Sequence, residues 1–384
     1  MKHFEALQVA SGGLEARPHE LDEKHRRVQK WLEQAGYDGV LLRRHENIAW
    51  VTAGQVEVRV AILSETGVLA LLLLRDGRRF SLAPNNEAGR LAVEELPGLG
   101  YEPVVRPWYS LDFAAEAQRM TGAKLASDTV LTTEAGSLPI VDLAPLRAPL
   151  LPAEIARFRV LGKQSAHVVA AVLLALNPGV SEYEMEARVA VRLLREGVFP
   201  SVLLMGTDDR ILNYKHAVAR GATLERFGML NLCARRWGLA VSITRFVHFG
   251  KLPAELERGF NTAATVNAAL QHATRNGATG GSLFRVATHA YVQAGFPGEE
   301  QLHHQGGACG YLEREWVATP DGTQTVHEPE AFAWNPSCRG GKVEDTTLAM
   351  DGKIEVLTRT PQLPEVTTEV GGVVYTTAGV LIRP

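Results

Sequence analysis

The chain has little cysteine. Cys233, Cys309 and Cys338 are three in 384 residues, odd in number and without C-x-x-C spacing. That excludes a disulfide framework and a structural zinc finger. Long apolar runs are also missing. The most apolar stretch, residues 68–74, is far too short to cross a bilayer. The first residues, Met1-Lys2-His3-Phe4-Glu5, lack the apolar core of a signal peptide. No block of five or six like charges occurs, and the formal net charge is −3. Neither nucleic acid nor a membrane surface is therefore an expected partner. There is no P-loop, no glycine-rich dinucleotide loop and no low-complexity tract. The expected setting is the reducing cytoplasm, and the expected partner a small molecule or short peptide.

What is present is ordinary globular material, 46% hydrophobic and 22% charged. The length predicts two domains. A proline-rich stretch, Ala144-Pro145, Ala148-Pro149 and Leu151-Pro152, sets their boundary near residue 150. Before it, the pattern predicts an α/β domain over residues 1–150. Its elements are a helix over 22–35 stopped by Gly36, a strand at 39–42, a hairpin of 59–63 with 68–74, a helix over 86–95, and a strand at 124–126. Over residues 151–384 the pattern predicts two helix pairs. The first comprises 153–176 and a helix opened by a Ser181/Glu184 capping box and closed at Gly197. The second comprises 256–276 and 282–294. Strand-rich stretches at 228–241, 244–249, 331–334 and 356–360 lie between and after them. The arrangement reads as an internal pseudo-repeat.

The most informative stretch is His303-His304-Gln305-Gly306-Gly307-Ala308-Cys309-Gly310, followed by Asn335-Pro336-Ser337 and by Lys342-Val343-Glu344-Asp345-Thr346. Together with Ile243-Thr244-Arg245 it resembles the prolidase, aminopeptidase P, creatinase and methionine aminopeptidase family. The resemblance covers about residues 153–384 and, more loosely, the N-terminal domain. It implies an α+β fold: a C-terminal pita-bread domain behind a smaller creatinase-type α/β domain. It also implies a homodimer.

The family's metal enzymes hold two ions with two Asp, one His and two Glu. The resemblance puts Asn231 and Ser242 at the Asp positions, eleven residues apart, Gly307 at the His, and Asn335 at the first Glu. Only Glu344 remains. Two dications need anionic ligands to offset their dehydration, and amides, a hydroxyl and a glycine supply none. No metal or other cofactor is expected. Asn231 and Asn335 are expected to fill polar space and hydrogen-bond one another.

His216 aligns with the family's substrate-side His, and Arg314 takes the place of a second His before Glu315. The resulting pocket suits an anion or zwitterion, with Arg314 as a fork for a carboxylate. The expected catalytic residues are His216 as general acid/base, Glu344 as its partner or orienter, and Arg314 as carboxylate clamp. Asn231, Ser242, Thr244, His304 and Asn335 are the expected substrate contacts. Adjacent His303 and His304 point to opposite sides if the segment is extended. Creatinase, the metal-free relative, also has Asn at the first Asp. This chain departs from it at Thr244, Gly307 and Asn335, so creatine hydrolysis is not implied. The cysteines are expected to be small buried hydrophobes, and a Cys–His nucleophile with His216 is the lesser alternative. Three functions remain open: a metal-independent hydrolase of a C–N or amide bond, a pseudo-enzyme that only binds, and an Xaa-Pro dipeptidase with an unconventional metal site.

Overall fold

The structure, a computed structural model, describes residues 17–384. The Met1-to-Glu5 segment lies outside the described residues. The chain packs as two units. One ends at Arg147 and takes back Leu151–Glu154; the other holds Ala148–Leu150 and Ile155–Pro384.

In the first unit α1 (Arg17–Ala35) precedes β1 (Gly39–Arg44), α2 (His45–Val51), β2 (Thr66–Leu74) and β3 (Arg79–Pro84). Helix α3 (Asn85–Arg90) runs into a π-turn at Leu91–Glu95, before β4 (Glu102–Arg106), α4 (Phe113–Thr121) and β5 (Leu125–Ser127). The five strands form one sheet in the order β4-β3-β2-β1-β5. Leu41, Leu72, Leu82 and Ala117 belong to one apolar cluster of this unit. The expected hairpin is corrected. β2 pairs with β3, and residues 59–63 form no strand. Ile62 and Leu63 are 68% and 95% exposed, so that segment has no buried face to fix it in a sheet.

Two helices follow, α5 (Pro152–Leu174), which belongs to the second unit from Ile155 on, and α6 (Glu182–Arg195). The Ser181 hydroxyl accepts the Glu184 N–H at 3.2 Å, so the cap forms as its sequence suggests. The Glu184 carboxylate instead takes Arg188, one turn on, at 2.8 Å. Strands β6 (Phe199–Thr207), β7 (Phe227–Arg236) and β8 (Leu239–Phe249) form an antiparallel meander. Trp237 and Gly238, both at positive φ, make the β7–β8 turn. The expected strands at 228–241 and 244–249 are thus one hairpin with its turn earlier in the chain, at Trp237 and Gly238.

The second helix pair is α7 (Ala254–Ala273) and α8 (Gly280–Gln293), the latter opened by a Thr279/Ser282 capping box. A second antiparallel sheet follows, formed by β9 (Gly306–Cys309), β10 (Glu330–Trp334), β11 (Asp345–Met350) and β12 (Lys353–Val356). A hairpin of β13 (Glu365–Val370) and β14 (Val373–Ala378) leads to β15 (Leu381–Arg383), which joins the first sheet beside β8. Each helix pair therefore precedes its own antiparallel sheet. The sheets are joined by backbone hydrogen bonds at Ala240, whose N–H donates to the Gly310 carbonyl at 2.8 Å, and at Thr244, which bridges Glu344 and donates to its carbonyl at 3.1 Å. The Thr244–Glu344 junction positions the site.

Candidate functional site

Register builds the site first. On the β7–β8 hairpin Asn231 lies opposite Thr244, and Cys233 opposite Ser242. Directly opposed residues share a face, and alternate residues of each strand return to it. All four side chains therefore stand on one face.

The next residue along β8, Arg245, points the other way. Its guanidinium donates to Asp345 Oδ1 at 2.6 Å, to the Thr358 carbonyl at 2.8 Å and to the Glu344 carbonyl at 3.1 Å. Thr346 Oγ1 accepts the Ser242 N–H at 2.7 Å and donates to the Ser242 carbonyl at 3.0 Å. The Ile-Thr-Arg and Glu-Asp-Thr segments thus clamp each other, and the clamp delivers Glu344 to the face of Asn231.

There Glu344 is fully engaged. Its Oε2 accepts from Asn231 Nδ2 at 2.6 Å, from Thr244 Oγ1 at 2.6 Å and from Lys342 Nζ at 3.1 Å. Its Oε1 accepts from Arg314 Nη2 at 2.9 Å. Arg314 Nη1 donates to Ser242 Oγ at 3.0 Å. Burial alone would raise the Glu344 carboxyl, but Lys342, Arg314 and the Thr244 hydroxyl outweigh it and hold the group down at about 2. Burial alone would likewise lower the Arg314 guanidinium, and the Glu344 charge reverses the sign and raises it. Glu344 is therefore a fixed anion. It makes no hydrogen bond to His216, its oxygens being taken by Asn231, Thr244, Lys342 and Arg314.

The partner of His216 is His303. Their Nε2 atoms lie 3.0 Å apart, with the rings edge to face. His304 stacks on His303 at 4.4 Å between centroids and lies 6.4 Å from His216. The expectation that His303 and His304 diverge is corrected. Residues 302–303 bend before β9 begins instead of running extended, and both rings turn to the same side. Burial lowers all three rings, with Lys342 the next cause for His216 and His303 and Arg314 for His304. His303 falls to about 3 and His304 to about 4. The rings thus sit within the field of the Lys342–Glu344–Arg314 knot, and they are neutral at pH 7.

Two positions behave differently from expectation. Asn231 and Asn335 are not bonded to one another: both Asn231 donor contacts go to Thr244 and Glu344. Asn335 is buried beyond β10, its N–H bonded to the Gln305 carbonyl and its Oδ1 without a hydrogen-bond partner. At Gly307 an added Cβ would meet the Trp316 carbonyl at 2.0 Å, so this backbone admits no side chain there. Cys233 is buried against Ser242 Oγ at 3.2 Å, and burial pushes its thiol up to about 12, which removes it as a nucleophile. Lys342 and His303 were absent from the expected set. The only sign of Lys342 in the sequence was its place two residues before Glu344.

Beside Lys342 opens a cavity of about 450 Å³, lined by Lys215, Arg339 and Glu299 over a floor that includes Met229 and Phe246. Lys215 and Arg339 both pair with Glu299, at 3.3 and 3.2 Å. Three cations thus face one lining carboxylate.

The comparisons agree with this architecture. The family model for metallopeptidase family M24 matches residues 156–356. The chain belongs to family M24. A candidate dipeptidase of Bacillus subtilis (strain 168), YkvY, is 23% identical over 364 residues, covering 88% of this chain and 97% of that protein. The Xaa-Pro dipeptidase from Bacillus anthracis superposes with a TM-score of 0.72 at 18% identity, covering 94% of this chain and all of that one. The prolidase from Pyrococcus horikoshii OT3 gives 0.75 at 17% identity, covering 88% and 98%. At such identities the structures establish the pita-bread fold with its N-terminal domain, and no more. No helix among the described residues is long and apolar enough to cross a membrane.

Proposed function

We propose that this M24 member works without the family's two-metal centre, as a hydrolase of a C–N or amide bond in a small anionic or zwitterionic compound. One observation carries it: both oxygens of Glu344 are already held by cationic side chains, Lys342 at 3.1 Å and Arg314 at 2.9 Å. The donor set does not fit a pair of dications. Asn231, Ser242 and Asn335 bring no charge, the Trp316 carbonyl occupies the space a side chain at position 307 needs, and an ammonium stands where an ion would have to share Glu344.

The chemistry falls to His216. Its ring is neutral at pH 7, and its Nε2 is paired with His303 Nε2. As general base it takes a proton from water as the oxygen attacks the carbonyl carbon. The same proton passes to the nitrogen as the C–N bond breaks. The cavity cations Lys215, Arg339 and Lys342 draw in the substrate carboxylate. The Arg314 Nε–H has no hydrogen-bond partner and is a further donor for it. The substrate-binding roles of Asn231, Ser242, Thr244, His304 and Asn335 belong to this proposal, as do the dimer and the cytoplasmic setting.

The test is a screen of small amides, guanidino acids and Xaa-Pro dipeptides with chelator and with added Mn²⁺. Turnover in chelator, lost in His216→Ala with ligand binding retained, is the expected result. Arg314→Ala should weaken binding. Xaa-Pro cleavage that depends on Mn²⁺, with two ions bound per chain, would overturn the proposal. The second reading, binding without turnover, is favoured by one fact: the only carboxylate in the knot is saturated. Ligand binding with no turnover at any pH selects it.

A further inference from the structure

We propose that His216, His303 and His304 form a site for one divalent transition-metal ion, with zinc the ion best suited to three imidazoles. The proposal rests on the absence of the family's two-metal centre, and it uses none of that centre's positions.

Geometry carries it. The ligand nitrogens of the three rings all lie within 4.8 Å of one another. His216 and His303 present Nε2 atoms 3.0 Å apart. Bonds of 2.0–2.1 Å in tetrahedral geometry place ligand nitrogens about 3.3 Å apart, so a small outward movement of the two rings admits an ion. The rings come from segments 87 residues apart in the chain. A chance pair on one helix face is therefore not the explanation. Neutral imidazoles also keep a lone pair for the metal, and three of them leave a fourth position open for water or a ligand carboxylate.

Two features weaken the site and set its strength. A ligating tautomer of His304 gives up the Gly306 N–H bond to its Nδ1, a long one at 3.2 Å. The nearby cations Lys342 and Arg314 exceed Glu344 by one charge, which opposes a dication. An affinity on the order of micromolar is expected, far from that of a preformed structural zinc site. An ion held there takes the Nε2 lone pair of His216 out of proton transfer, so zinc acts as an inhibitor of the reaction proposed above.

The experiment uses chelator-stripped full-length protein. Zn²⁺ is titrated by calorimetry and Co²⁺ by visible absorption. One ion per chain is expected, with the bands of a tetrahedral nitrogen-bound Co²⁺ and no sulfur-to-cobalt charge transfer. His303→Ala and His304→Ala should each weaken binding at least tenfold, while His272→Ala, whose ring is bonded to Tyr375, leaves it unchanged. Circular dichroism checks each fold. His303→Gln and His304→Gln replace any alanine variant that does not fold, and the Co²⁺ spectrum of the unaltered protein stands independently of them. No binding below 100-fold the expected constant, or binding indifferent to both substitutions, overturns the site and leaves the metal-free hydrolase standing. Two ions per chain that survive both substitutions overturn the hydrolase proposal as well.

Discussion

Replacing Glu344 by Gln tests the centre of the structural argument. The substitution keeps the shape and removes one charge, leaving Lys342 and Arg314 without their shared anion. Their side chains are 7% and 15% exposed, so water compensates little. Removing one partner of a buried ion pair costs about 3–5 kcal/mol. The proton linkage gives an independent figure. A carboxyl held at about 2 when folded, against 4.5 for the free group, corresponds to about 3 kcal/mol at pH 7. The two routes agree on a loss of about 3–4 kcal/mol.

The sign in pH follows from the direction of the shift. The folded pKa is depressed, so the stabilisation is fully present above 4.5 and is lost as pH falls toward 2. The gap between the native protein and Glu344→Gln should therefore be widest at pH 7 and shrink below pH 4.5. Urea unfolding followed by tryptophan fluorescence reads it, with Trp334 reporting on the second sheet. Adding Lys342→Met and Arg314→Met to the Gln variant should recover part of the loss, because an apolar replacement of the whole buried group removes the stranded charges. A loss under about 1 kcal/mol at pH 7, or a gap that does not change with pH, would refute the knot as drawn.

Three further outcomes follow from single residues. Gly307→His should not restore a metal ligand but should destabilise the fold by about 3 kcal/mol or more, because its Cβ meets the Trp316 carbonyl at 2.0 Å; an unchanged thermal midpoint would contradict this. Burial raises the Glu330 carboxyl to about 7, so the folded state binds the extra proton between 4.5 and 7 and stability falls as pH rises through that window. Glu330→Gln should then be more stable than the native protein at pH 8 and similar to it near pH 4.5, as read by melting curves across pH. Asn335→Leu removes a buried Oδ1 with no partner and should change stability by less than about 1 kcal/mol; a loss above 2 kcal/mol in urea unfolding would mean that the amide is held.

The two anchor motifs were legible because they act on one another. Arg245 binds Asp345, and Thr244 bridges Glu344, so alignment of either motif locates the other. Helix ends were legible for a local reason: Ser181 caps α6 with its own hydroxyl, whatever packs against that helix. Lys342 was not legible. A lysine reads as a surface residue, since burial requires a partner that only the tertiary fold supplies. The paired histidines were misread because alternation of sides holds in a strand, and residues 303–304 precede one. Residues 59–63 have strand-like composition, but no face of that segment is buried enough to recruit it.

The departures from the family pattern are linked through charge. In the metal enzymes four carboxylates and a histidine face two mobile dications. In this chain Glu344 faces two cations tethered to the chain, Lys342 and Arg314. The two cations exceed the one carboxylate by a single charge. Removing Glu344 is the change that would strand charge here, since it would leave Lys342 and Arg314 without a counter-ion. Burying such a charge without its counterpart costs several kcal/mol, about as much as one-third of a typical domain's whole stability. Asn231 and Ser242, both uncharged, complete the hydrogen bonds of this knot without adding to its charge. On the function proposed above, the excess of one positive charge suits the pocket to an anion. A fold shared with prolidases fixes where that pocket lies. Its chemistry must be read from the charges it holds.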